Sequence, residues 1–156
     1  MNIPPPREEP RLTEEEIRAE VLRRLKKYQG LNLLEQFAMF MGLAQVLELA
    51  LKHLLHRRYG IALEGLERAT LGQVAGILKA RGLRLDFLQL LESVVGYRNH
   101  IAHSLLANQA LLESLGAGDA RFERRELERG LYELEQLWFL YGWTEEHEAW
   151  GPINAA

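Results

Sequence analysis

An arginine, an asparagine and two histidines fall within the six residues Arg98-Asn99-His100-Ile101-Ala102-His103, in a run that is otherwise apolar and helical in pattern. Those side chains suit phosphoryl transfer. An imidazole titrates near neutral pH and can take or give a proton, while a guanidinium stays charged and can fork onto two phosphate oxygens. Cleaving RNA by internal attack requires removal of the 2′-hydroxyl proton, protonation of the departing 5′-oxygen, and positive charge on the phosphate as it gains negative charge. At about 100° per residue, Arg98 falls within the apolar stripe of Leu91, Val94 and Leu105; Asn99 and His103 share its shoulder, and His100 turns away. An arginine on a buried stripe needs a partner or an interface. Taken alone, periodicity favours a structural arginine bonded to carboxylates or helix-end carbonyls.

The elements that must position this stretch are helical. All five prolines lie at the two ends of the chain, Pro4, Pro5, Pro6, Pro10 and Pro152, so the interval between them lacks the strongest helix breaker. Thr13-x-x-Glu16 and Thr70-x-x-Gln73 match the capping box, and no alternation is long enough for a strand. The pattern predicts a first helix over 14–28, with Ile17, Val21 and Leu25 on one face. It predicts a long second helix over 31–58, a short one over 71–80, one that Asp86 caps and that leads into Arg98–His103, and a last one over 121–141. A loop is expected around Gly116–Asp119. The second helix is apolar around most of its circumference, which implies burial on two sides, by a bundle or by a second subunit. Its Glu48 and Lys52 have the order of a helical ion pair and read as a solvated face. Trp143 and Trp150 are expected to pack back onto the bundle. The fold class is all-α: an antiparallel bundle of about four long helices plus a short one. The expected organisation is a flexible proline-rich arm over 1–12, a single domain over 13–143 and a tail over 144–156.

Composition bounds the function. The chain has 156 residues and no cysteine, so no disulfide framework, thiolate metal site or cysteine nucleophile is available. A formal charge of -3 argues against a sequence-blind duplex binder, whose affinity comes from neutralising phosphates. The start lacks the basic and apolar regions of a signal peptide, and no later run reaches bilayer length without charged or strongly polar interruptions. A cytoplasmic protein with no membrane association is expected.

The form Tyr97-Arg98-Asn99-His100-Ile101-Ala102-His103, late in a helical bundle, resembles the R-x(4-6)-H motif of HEPN domains, with Arg98, Asn99 and His103 as the matching residues. The resemblance extends to the all-helical build and the long apolar helix ahead of the motif, and covers about 14–141. It implies a HEPN-like two-fold homodimer acting as a metal-independent endoribonuclease, without cofactor. Arg98 and His103 would be catalytic, Asn99 would support them, and products would end in a 2′,3′-cyclic phosphate. Two subunits would meet so that two histidines share one site, because one histidine is poorly placed to serve as both base and acid. Toxin–antitoxin and phage-defence roles, with an antitoxin protein as partner, fall within what the resemblance allows. One branch carries a modified tyrosine two residues after the motif histidine; Leu105 stands there, which separates this chain from that branch.

Two other readings compete. His53 with His56 and His100 with His103 are i,i+3 pairs that can share a metal, although Lys52-His53-Leu54-Leu55-His56-Arg57-Arg58 is basic enough to repel a cation. A non-catalytic helical RNA-binding or protein-interaction module accommodates everything except Arg98, Asn99 and His103. The basic stretches 23–27, 52–58 and 79–84 are candidates to line an RNA path.

Overall fold

The computed structural model describes residues 11–105, 108 and 121–151, and within them it is all-helical, without strands. The proline-rich opening up to Pro10 and the loop expected at Gly116–Asp119 lie outside the described residues. Helix α1 (Glu14–Leu25) starts at Thr13, whose hydroxyl accepts from the Glu16 backbone N–H while the Glu16 carboxylate accepts from that of Thr13, and it runs into a 3₁₀ turn over Lys26–Tyr28. Helix α2 (Leu33–Tyr59) is capped by Asn32 and ends at Gly60, whose φ of +67° is left-handed and suits a residue without Cβ. A four-residue helix α3 (Leu63–Leu66), absent from the sequence expectation, precedes α4 (Leu71–Ala80) with its Thr70/Gln73 capping box. Helix α5 (Leu85–His100) leads into the motif, and α6 (Arg121–Glu146) closes the described chain.

Helix α6 is the hub, packed against α1, α2 and α5, while α4 bridges α2 and α5. Its apolar stripe, Leu127, Leu131, Leu134 and Leu137, is fully buried against Phe40, Leu47, Leu51 and Leu91. The boundary expected after Trp143 falls inside α6, which continues five residues past Tyr141 to Glu146. Trp150 does pack back: it is 2% exposed and meets Phe87 edge-on at 4.9 Å.

Two expectations are corrected. Asp86 does not cap α5; Arg84 holds the cap position, and its guanidinium donates to both Asp86 oxygens at 2.6 and 2.8 Å. Because the Trp150 carbonyl accepts from the Arg84 N–H at 3.1 Å, the capping geometry is fixed from the far end of the sequence. Glu48 and Lys52 are not a solvated face. Each is 8% exposed, and Lys52 Nζ donates to Glu48 at 3.2 Å and to the Glu67 carbonyl beside α3 at 3.4 Å. Helix α2 is the one described helix long and apolar enough to cross a membrane by length and composition, with a mean hydropathy of 1.4, and Glu48 and Lys52 interrupt it as the sequence indicates. Here its Phe40–Leu55 face lies in the core. The opposite face leaves Leu34, Met39, Val46 and Leu49 exposed, so only one of the two apolar sides is covered within the chain.

Glu20 illustrates how the basic segment of α1 is spent. Arg23 and then Arg24 hydrogen-bond its carboxylate at 2.6–2.9 Å and hold its pKa down to about 2. A depressed carboxylate contributes stability above its unfolded pKa and loses it as pH falls through the folded one. The Glu20 contribution is therefore expected at neutral pH and to vanish between about pH 4.5 and 2. A carboxyl-carbon NMR titration of Glu20 with its midpoint near 4.5 would contradict this arrangement.

Candidate functional site

Arg98 and Asn99 stand at the C-terminal end of α5, and His103 follows on the next turn. Their support is built from below. Leu88, Leu91 and Val94 bury one face of α5, and its start is held by Arg84 and Trp150. At its end Ile101, 1% exposed, wedges against α6 and α2. A Cβ added to Gly130 of α6 would stand 2.9 Å from Ile101 Cδ1 and 3.1 Å from Phe40 Cε2, so any side chain there would make the Ile101 δ-methyl and the Phe40 ring shift. Gly130 is a supporting residue that sequence reasoning passed over. Its signal was a glycine mid-helix, where that residue costs about 1 kcal/mol against alanine and needs a packing reason.

From Ile101 to Leu105 the helix widens into a π turn. There the hydrogen-bonded partner lies five residues on instead of four, and each residue advances less around the axis. In α geometry His103 would stand about 140° from Arg98 and about 40° past Asn99. A wider turn, with less rotation per residue, reduces the first of these angles. The Arg98 guanidinium donates to Asn99 Oδ1 at 3.3 Å, tying the first two members of the trio. Arg98 is half-buried, so the expectation that it lies within the buried stripe holds only in part. Asn99 and His103 are exposed, where a large substrate can reach them. His100 is exposed as well, so burial does not distinguish the two histidines. Tyr97, just ahead, is half-buried; burial first, then the carboxylates of Glu133 and Glu126, push its pKa up, so it remains a neutral phenol.

The metal reading gains nothing. Among the described residues no group of three or more His, Asp or Glu side chains could hold an ion. His56 Nδ1 donates to the Ile61 carbonyl at 2.8 Å, and His147 Nδ1 donates to the Trp143 carbonyl at 2.8 Å while its ring stacks on that indole. Both are helix-end histidines satisfied by backbone.

The basic stretches singled out from sequence are largely engaged. Arg23 and Arg24 bind Glu20, Lys27 binds Glu135, Lys52 binds Glu48, Arg57 binds Glu145, Lys79 binds Glu92 and Arg84 binds Asp86. Sequence reading did not single out Arg124, Arg125 and Arg129, which line a groove of about 690 Å³ between α1 and the first half of α6. A second groove, of about 500 Å³ between α2 and α3, is lined by Glu48, Glu64 and Glu67 together with Lys52 and His53, a set unsuited to an anion.

No family model, no curated protein and no solved structure matches the chain. The described residues define an all-helical fold with a paired arginine and amide at the end of α5 and an exposed imidazole on the widened turn that follows. Any statement of what that group does rests on its chemistry.

Proposed function

We propose that this chain is a metal-independent endoribonuclease of HEPN type that works as a cytoplasmic homodimer. The observation that supports the reading is an exposed imidazole, His103, on a π turn directly after the helix end where the Arg98 guanidinium is hydrogen-bonded to Asn99. The neutral His103 of one copy takes the 2′-hydroxyl proton as the 2′-oxygen bonds to phosphorus. The protonated His103 of the second copy delivers a proton to the 5′-oxygen as the P–O5′ bond breaks. The two Arg98 guanidiniums hold the non-bridging oxygens as they gain charge. Products are a 2′,3′-cyclic phosphate and a 5′-hydroxyl, and no metal enters the balance.

The need for a second copy is supported by α2. Leu34, Met39, Val46 and Leu49 are between 39% and 65% exposed along one face, a line of apolar side chains of the kind a partner surface covers. An antitoxin protein is a further partner the reading allows.

The test is incubation of purified protein with mixed RNA in EDTA, with product ends identified chemically. Cleavage leaving 2′,3′-cyclic ends is expected. Chelator-sensitive cleavage, or 3′-hydroxyl products, would overturn the mechanism, and no cleavage at all would favour a non-catalytic binding module. Sedimentation at micromolar concentration should give a dimer, and a monomer would remove the two-histidine site.

A further inference from the structure

The groove between α1 and the first half of α6 lies outside the trio, and its lining has two distinct parts. Leu22, Leu25, Leu31 and Leu131 give it an apolar side, with Leu22 49% exposed. Arg124, Arg125 and Arg129, the last also 3.6 Å from the Glu126 carboxylate, give it charge against a single lining carboxylate, Glu128, in a protein whose net charge is -3. Concentrating cations in a groove of an acidic chain raises the local concentration of a polyanion. Tyr132 adds a half-buried ring.

Gln36 supplies a second, independent feature. Its side-chain N–H donates to the Tyr28 carbonyl at 3.2 Å, yet its Oε1, in a residue only 8% exposed, has no hydrogen-bond partner. Buried polar atoms are nearly always paired, so an orphan acceptor at the wall of a groove marks a place for a donor. An exocyclic amine or ring N–H of a nucleobase is such a donor.

Position links the groove to the trio. Arg129 precedes Gly130, the residue against which Ile101 of the π turn is seated, and its charge acts on Tyr97, the neighbour of Arg98. The arginine face of α6 thus runs from the groove toward the motif.

We infer that this groove docks a single-stranded stretch of RNA beside the cut site, taking one unpaired nucleotide with its phosphate on Arg124 and Arg125. Its base lies over the leucines and Tyr132, with an N–H edge toward Gln36. Arginine forks, a ring to stack on and an amide to read a base edge are the means by which proteins hold unpaired RNA. The inference rests on the RNA reading of the trio, but its test does not depend on cleavage.

The test uses full-length protein carrying His103→Ala, so that binding is read without turnover, and a fluorescein-labelled 12-nucleotide single-stranded RNA followed by anisotropy. Arg124→Gln with Arg125→Gln should weaken binding at least tenfold and flatten the salt dependence of log K by about 0.7, the loss of one phosphate contact to a single strand. Leu22→Glu, an exposed position that folding tolerates, should weaken binding by introducing a carboxylate. Lys79→Gln with Arg81→Gln, outside the groove, should change affinity less than twofold. Equal affinity in parent, Arg124/Arg125 and Leu22 proteins overturns the groove, as does absence of any RNA binding, which would leave an acidic peptide as the occupant. Groove-dependent binding by a protein that, with His103 restored, cuts no RNA overturns the nuclease and keeps the groove. Active cleavage with groove-independent binding does the reverse.

Discussion

His103→Ala is expected to lower metal-independent RNA cleavage by about 10³-fold or more, with helical content and sedimentation unchanged. General acid–base catalysis by a placed side chain contributes roughly 10²- to 10⁴-fold, and in a two-fold site the substitution removes acid and base together. His103 is exposed on the π turn and packs against none of the core, so the loss should be chemical and leave stability intact. His100→Ala is the internal control. It is equally exposed three residues earlier, and activity within about twofold of the parent is expected. Arg98→Lys should cost at least about tenfold, since an ammonium keeps the charge but loses the planar fork. Mixing parent and His103→Ala protein at equal amounts should leave roughly a quarter of the activity if dimers form at random and need both histidines, against half if each chain works alone. A His103→Ala protein that cuts at the parental rate would end the site assignment.

Much of this arrangement was legible in the sequence. Thr13 and Thr70 declared their helix starts through spacing alone, and the proline-free interior announced an all-helical chain. Tertiary features were less visible. The Glu48–Lys52 spacing is the same whether the pair is solvated or covered, and a four-residue helix, too short to announce itself, covers it. Asp86 looked like a cap because nothing local reveals that Trp150 reaches back to the start of α5. For the trio, residue types were readable but their angular relation was not. Periodicity arguments assume about 100° per residue, and the π turn departs from that just where Ile101 is drawn in against Gly130.

Glu135→Leu should destabilise the protein by about 2–3 kcal/mol, a large share of the 5–15 kcal/mol typical of a domain. Glu135 lies on α6 and is 1% exposed. It accepts from the Tyr28 hydroxyl at 2.5 Å and pairs with Lys27 at 2.5 Å and Arg24 at 3.8 Å, so the end of α1 is pinned to α6 through one carboxylate. Burial, then that hydrogen bond, pushes the Tyr28 pKa far up, which keeps the hydroxyl a donor at any ordinary pH. Removing the carboxylate strands a buried hydroxyl. Lys27 and Arg24 stay partly exposed and rehydrate, which holds the loss below the 3–5 kcal/mol of a fully buried pair. In urea this is a midpoint shift of roughly 1–2 M. Tyr28→Phe should cost about 1 kcal/mol, and the double variant less than the sum of the two singles because the stranded hydroxyl is gone. A Glu135→Leu midpoint at or above the parental value would show that the carboxylate does not pin the two helices.

The apolar run of α2 also governs what happens when the bundle opens. Once α4 and α6 release it, a 27-residue segment apolar enough to pass for a membrane span meets water directly. Opened chains should then find one another, or a chaperone, faster than they refold. Heating would measure a rate of loss, with an apparent midpoint that moves with scan speed and protein concentration. In a cell, persistence of this protein would follow how seldom α2 is uncovered, and a covering partner would lengthen its lifetime.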